Sequence, residues 1–161
     1  MNPYAVKYSL GRAWMYSLLS FGLWTGYWFY VTRKLFDGET GRGRDDAILH
    51  TLGVYVPVLN VFTLYWLYRD LSELRRRVGL SELPVAGYVV GGVFLQPVLY
   101  SIALGKVNEF WDARTQGLAT EAPTPGAEKA VIAVGAAFWL LLVLFAILLT
   151  LLVAFSSSTS S

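Results

Sequence analysis

The chain has 161 residues, a mean hydropathy of +0.49 and a formal net charge of +2. Apolar types make up 55% of it and charged types 15%, against about 25% charged in soluble domains. So small a charge excess argues against a nucleic-acid partner, and the absence of cysteine excludes disulfides, thiolate catalysis, Cys-bound zinc and iron–sulfur clusters.

The charges are unevenly placed. Four stretches carry none: 20 residues between Arg12 and Arg33, 22 between Asp46 and Arg69, 23 between Glu82 and Lys106, and 32 after Lys129. A membrane-crossing helix needs roughly 20 apolar residues to traverse about 30 Å of hydrocarbon. Surface helices of soluble proteins need charged faces. The segregation predicts an all-α, polytopic integral membrane protein with four transmembrane helices.

Residues 1–12 form a basic lead-in. Lys7 and Arg12 before an apolar run resemble the start of a signal sequence. The run is too long for that, and no small-x-small cleavage site follows, so it reads as a retained first span, Ala13–Thr32. The segment 33–46, "RKLFDGETGRGRDD", reads as a solvated turn. Span two, Ala47–Tyr68, contains Pro57 and should kink there. Leu71, Leu74 and Val78 then recur at helical spacing, so that helix continues beyond the span to about Gly79. Span three, Leu83–Gly105, begins with Pro84 in its first turn and should kink at Pro97. "KVNEFWDARTQG" reads as a second helical exit, and "LATEAPTPGAE" as a linker. Span four is Ala130–Phe155. The chain divides into a three-span core (1–116), a linker (117–126), a linker-tethered C-terminal helix (127–155) and a flexible tail (156–161).

Counting Lys and Arg on alternate sides of four spans gives six against seven, which does not orient the protein. Acidic residues tip the expectation towards a multi-pass protein of the cell (inner or plasma) membrane with both termini in the cytoplasm.

Several residues are candidates for chemistry or contact. Asn60 and Gln96 are amides within spans two and three. They serve either as interhelical glue or as the lining of a polar path. Gly22, Gly26, Gly87 and Gly91 make two small-x-x-x-small patterns, which allow close helix approach within the chain or with a second subunit. Trp28, Arg33 and Lys34 at the end of span one, Trp66 and Arg69 at the end of span two, the run Arg75, Arg76 and Arg77, and Trp111 are candidates for the lipid headgroup region, with anionic lipids as partners of the cations. "YWFY" at 27–30 and "YWLY" at 65–68 are each followed within three residues by Arg, like a membrane-exit signature used twice. His50 is the only histidine. No catalytic, cofactor-binding or metal-binding set is recognised, and no charged residue lies deep in a span to serve ion coupling.

The segments "LSFGLWTGYWFYVTRKL", "VLNVFTLYWLYRDLSEL" and "GKVNEFW" resemble the uncharacterised domain of unknown function 4234 family of small prokaryotic integral membrane proteins over residues 8–116. The resemblance implies a membrane protein and brings no activity with it. The expected function is non-enzymatic, without cofactor. The chain is read as an accessory or scaffold subunit that lies in the lipid bilayer and forms a homo-oligomer or joins a larger membrane complex. Span four, "FWLLLVLFAILLTLLVAF", has no polar face to bury in its own bundle and motivates this expectation. The alternative is a small transport or lipid-handling protein with a polar path near Asn60 and Gln96.

Overall fold

The computed structural model describes residues 5–41 and 47–158. In chain order the elements are β1 (Ala5–Lys7), α1 (Leu10–Leu19), α2 (Leu23–Thr40), α3 (Ala47–Gly53), α4 (Pro57–Arg77), α5 (Val85–Phe94), α6 (Gln96–Arg114), β2 (Thr120–Glu121) and α7 (Gly126–Ser158). The protein is all-helical apart from the short parallel pair β1–β2.

Each of the first three expected spans is broken in its middle, and at each break the chain reverses. In the first, Phe21 (φ 54°) and Gly22 (φ 83°) are both left-handed, which ends α1 and starts α2 in a new direction. Glycine takes that conformation freely, whereas phenylalanine does so at a cost of about 1–2 kcal/mol. The reversal is visible in the side chains. Ser17 Oγ and Thr25 Oγ1 lie 3.0 Å apart, although eight residues of straight helix would separate their turns by about 12 Å.

The second break is Val54–Val56, with Pro57 in the first turn of α4, where its missing N–H costs nothing. Thr63 Oγ1 donates to the His50 carbonyl and the His50 ring stands 4.5 Å from Trp66, so α3 and α4 are antiparallel. The third break is Leu95, just ahead of Gln96-Pro97. α5 runs down α4, from Leu83 N–H on Ser72 Oγ, past Tyr88 stacked on Tyr68 at 4.7 Å, to Gly92 beside Leu64. α6 runs back up, from Leu99, whose carbonyl accepts from Tyr68 OH at 2.6 Å, to Glu109 on Arg75 at 2.7 Å.

The core is therefore three helical hairpins, α1–α2, α3–α4 and α5–α6, with their apolar tips at one end and their charges at the other. A four-span path would put 33–46 and 106–129 on one side of the bilayer, and 1–12 and 69–82 on the other. Instead Arg33 pairs with Asp70, Arg75 with Glu109, Lys7 with Asp112, and Arg12 with Glu128. Every one of these pairs joins segments that the four-span path separates, so that path does not fit the packing. Among the described residues one helix, α7, is long and apolar enough to cross a membrane.

Other expectations need smaller changes. α4 ends at Arg77 with left-handed Gly79 just beyond it, and α6 runs to Arg114, as the helical exits required. The segment read as a turn after Thr32 is helical to Thr40, and its remainder, residues 42–46, lies outside the described residues. The linker is held rather than free: Ala122 N–H bonds to the Lys7 carbonyl beside the β1–β2 pair. Of the tail, residues 156–158 continue α7 and 159–161 lie outside the described residues.

α7 packs on the bundle along its first half, as far as Trp139. Phe21 at the first tip contacts the rings of Phe138 and Trp139, and Trp139 Nε1 donates to the Leu18 carbonyl at 2.9 Å. Between them Gly135 presses on the chain at Ser20, where an added Cβ would stand 2.1 Å from the Ser20 Cα. Backbone cannot swing aside as a side-chain end can. Gly135→Ala should therefore lift α7 off the first tip and lower stability by about 1–3 kcal/mol. The measurement is thermal unfolding in detergent, together with the rate at which cysteines introduced at Leu19 and Val134 cross-link.

Candidate functional site

The charged end is built from arms of different hairpins. Arg33 on α2 and Asp70 on α4 are 4% and 2% exposed. Arg33 Nη1 donates to Asp70 Oδ2, and Arg69 donates to Oδ1 through Nε and Nη2, at 3.0 and 2.9 Å. Burial alone would raise the Asp70 carboxyl. Hydrogen bonds and charge from Arg33 and Arg69 outweigh it and hold the group below the usual carboxylate range. Arg75, 2% exposed, reaches across to α6, to Glu109 and the Lys106 carbonyl. Arg114 Nε meets Glu39 at 3.0 Å. The arginine-rich end of α4 is thus mostly a clamp between hairpins.

A second cluster fixes α7. Glu128, in its first turn, is fully buried. It accepts from Arg12 Nη2 at 2.5 Å and from Trp24 Nε1 at 2.6 Å. Arg12 Nη1 also donates to the Ala122 carbonyl, and its guanidinium lies 5.0 Å from the Tyr8 ring and 5.5 Å from Tyr16. One arginine therefore ties α1, the linker and α7 together. A carboxylate at a helix N-terminus is also favoured by the exposed backbone N–H groups there.

Below the charges lies an apolar cavity of about 350 Å³. α1 and α6 form its sides through Trp14, Leu18, Ser101 and Leu104, with Trp24 and Trp28 of α2 among its lining. Several of its polar atoms are engaged, Ser17 with Thr25, Ser101 with the Pro97 carbonyl, and Tyr100 OH with Asn60 Oδ1 at 3.0 Å, whereas the buried Trp28 Nε1 has no hydrogen-bond partner. A smaller cavity of about 160 Å³ sits beside Asn60 between the second and third tips. Among the described residues no group of three His, Cys, Asp or Glu side chains is arranged to hold a metal.

The residues singled out from sequence fall into three groups. Asn60 is buried and bridges α4 to α6 through Tyr100, which is the glue role; the Gln96 side chain lies outside the described residues. Gly26 allows Tyr55 to approach so closely that a Cβ would meet its hydroxyl at 2.2 Å, while Gly22 serves the first tip and Gly91 touches Leu99. An added Cβ at Gly87 would meet nothing within 4 Å in this chain, so the within-chain packing is not made there; Gly53 against Thr63 and Gly92 against Leu64 are the close approaches that the pattern missed.

Trp28, Arg33, Arg75 and Trp111 are buried, not at a lipid interface. Trp28 packs edge-on against Tyr100 and Trp111 packs against Phe110 because the aromatic blocks face neighbouring arms. Trp66 is half-buried between His50 and Phe62. Lys34, Arg69, Arg76 and Arg77 do remain exposed, Arg69 and Arg77 with acidic partners, Arg76 with Glu82 at 4.0 Å. Asp70, Glu109 and Glu128 were missed. The available signal was that each lies just outside an uncharged run, where a carboxylate needs a cation from another arm.

No family model, no curated protein and no solved structure matches the chain.

Removing one partner of a buried ion pair strands the other charge. Asp70→Asn should cost about 3–5 kcal/mol, and the double variant Arg33→Met/Asp70→Leu should cost less than either single change. The depressed carboxyl stabilises the fold fully above its unfolded value of about 3.9 and loses that contribution as pH falls through its lower folded value. This part of acid destabilisation should vanish in Asp70→Asn, as read by circular dichroism in detergent.

Proposed function

We propose that the chain is a non-enzymatic membrane-embedded accessory or scaffold protein. In this reading α7 alone crosses the bilayer and the three hairpins enter one leaflet from the charged side. Membership of the family it resembles belongs to the same proposal. The observation that carries it is the meeting of all the described charged segments at one end.

Arm lengths support the depth. The uncharged parts of the arms are Ala13–Ser20, Leu23–Thr32, Ala47–Gly53, Pro57–Tyr68, Val85–Phe94 and Gln96–Gly105. At 1.5 Å per residue they reach about 10–18 Å from the tips. Half of the hydrocarbon thickness is about 15 Å. The tips are apolar and exposed, with Phe94 at 81% and Leu18 at 68%. Helix α7 has 26 uncharged residues, Ala130–Phe155, or about 39 Å, enough to cross both leaflets.

The orientation changes with the topology. The 11 Lys and Arg residues among the described ones now fall on one side and none on the other, which makes the charged end cytoplasmic by the positive-inside rule. Residue 158 then lies across the membrane from the N-terminus, in place of the shared side that four spans would give. Because the chain has no cysteine, single cysteines at Gly38, Ser81, Leu118 and Ser158 report directly. The first three should label from the cytoplasmic side and the last from the opposite side. Alternation between Gly38 and Ser81 would return the four-span topology.

Leu140–Phe155 of α7 has an exposed side chain at every described position, which favours a partner helix in the far leaflet. The cavity between α1 and α6 favours a second reading, lipid handling. It lies within the roughly 300–1,000 Å³ range of ligand sites. Native mass spectrometry from mild detergent separates the two. A mass above that of one chain is the scaffold result. A single chain carrying one lipid, lost in Ser101→Trp, is the lipid-handling result.

A further inference from the structure

We infer that this protein has a membrane-shaping activity: it favours, and at high density produces, a bilayer that is convex on the side of the charged end. The inference rests on the one-leaflet topology above and adds an activity to it.

The argument is one of cross-section. Among the described residues, six helical arms and α7 as far as Trp139 occupy the leaflet entered by the hairpins. The remainder of α7 alone occupies the other. With helix diameters of about 10 Å, the six additional arms add roughly 500 Å² to one leaflet with nothing to match it opposite. Two observations make this asymmetry rigid. The buried pairs Arg33–Asp70 and Arg75–Glu109 lock the arms to one another, so the hairpins cannot spread flat along the interface. At the tips Tyr55 OH donates to the Leu23 carbonyl at 3.1 Å, and Phe21 is packed on α7. The first tip is thereby joined to the second and to the crossing helix.

Lipid must then accommodate a block that is wide in one leaflet and narrow in the other. Curvature does this at least cost, because bending towards the narrow side expands the crowded leaflet relative to its neighbour. Burial of apolar surface in a single leaflet is the general basis of curvature-sensitive binding. Exposed Leu49, Leu52, Val58 and Leu59 on the second hairpin, and Val90 and Phe94 on the third, supply that surface around the block.

The test uses the full chain with Leu118→Cys, labelled with a fluorophore and reconstituted into phosphatidylcholine–phosphatidylglycerol vesicles of mixed size. Single-vesicle imaging reads protein per unit of lipid area against diameter, and an impermeant quencher reads orientation. The expected result is a several-fold rise in density from the largest to the smallest vesicles. Residue 118 should face outwards preferentially on the small ones, and electron microscopy should show tubes at high protein density. A density independent of diameter, with single cysteines at Gly38, Ser81 and Leu118 all on one side, overturns the shaping activity and leaves the topology standing. Alternation of those cysteines overturns both.

Discussion

Arg33 and Asp70 bring opposite charges to a place where neither is solvated, and most of the architecture follows from keeping them together. They stand on different hairpins, each near the end of an uncharged arm. Either charge alone would pay the full cost of desolvation there. Together they fix the height of α2 against α4, since a shift by one turn would carry each past its partner by about 5 Å. Arg75 and Glu109 do the same for α4 against α6. Once these heights are set, the three breaks near Gly22, Val54–Val56 and Leu95 must fall at the same level. The level common to the tips is therefore a product of electrostatics at the opposite end of the molecule.

The positions of charge, the helical character and some element ends were legible in the sequence. Pro57 and Pro97 marked two of the breaks correctly, and Gly79 marked a helix end. What could not be read was the angle of a break. A proline states that a hydrogen bond is missing, not whether the next helix continues onward or returns. Asp70, one residue after Arg69, held one hint: a carboxylate beside an uncharged run needs a cation, and the other aromatic block ends in Arg33. Pairing them would have placed both block ends on one side and overturned the four-span path. The same omission explains why Trp28 and Trp111, both buried, were read as interface residues. Aromatic side chains at the height of the headgroups can face lipid or protein, and periodicity alone does not distinguish the two when all faces are apolar.

The candidate site was less legible than the fold. Asn60 was read as either interhelical glue or the lining of a polar path, and its partner is a tyrosine hydroxyl on α6 that no spacing pattern reveals. Glu128 drew no reading of its own, because it falls at the end of the linker, just ahead of the longest apolar run. Its burial arises from Arg12 and Trp24, more than 100 residues earlier in the chain. The apolar cavity arises where α1 and α6 stand apart, a spacing set by the hairpin turns and not by any one residue.

The little β1–β2 pair has a consequence for the order of assembly. Residues 5–7 find their strand only when residues 120–121 have been made, and Arg12 finds Glu128 later still. During synthesis each hairpin can close locally, because its two arms are adjacent in the chain. The first hairpin must nevertheless wait, with its arginine not yet paired to Glu128, until both later hairpins have been made. Arg12 is thus made early and fastened late, after three hairpins have had the chance to close.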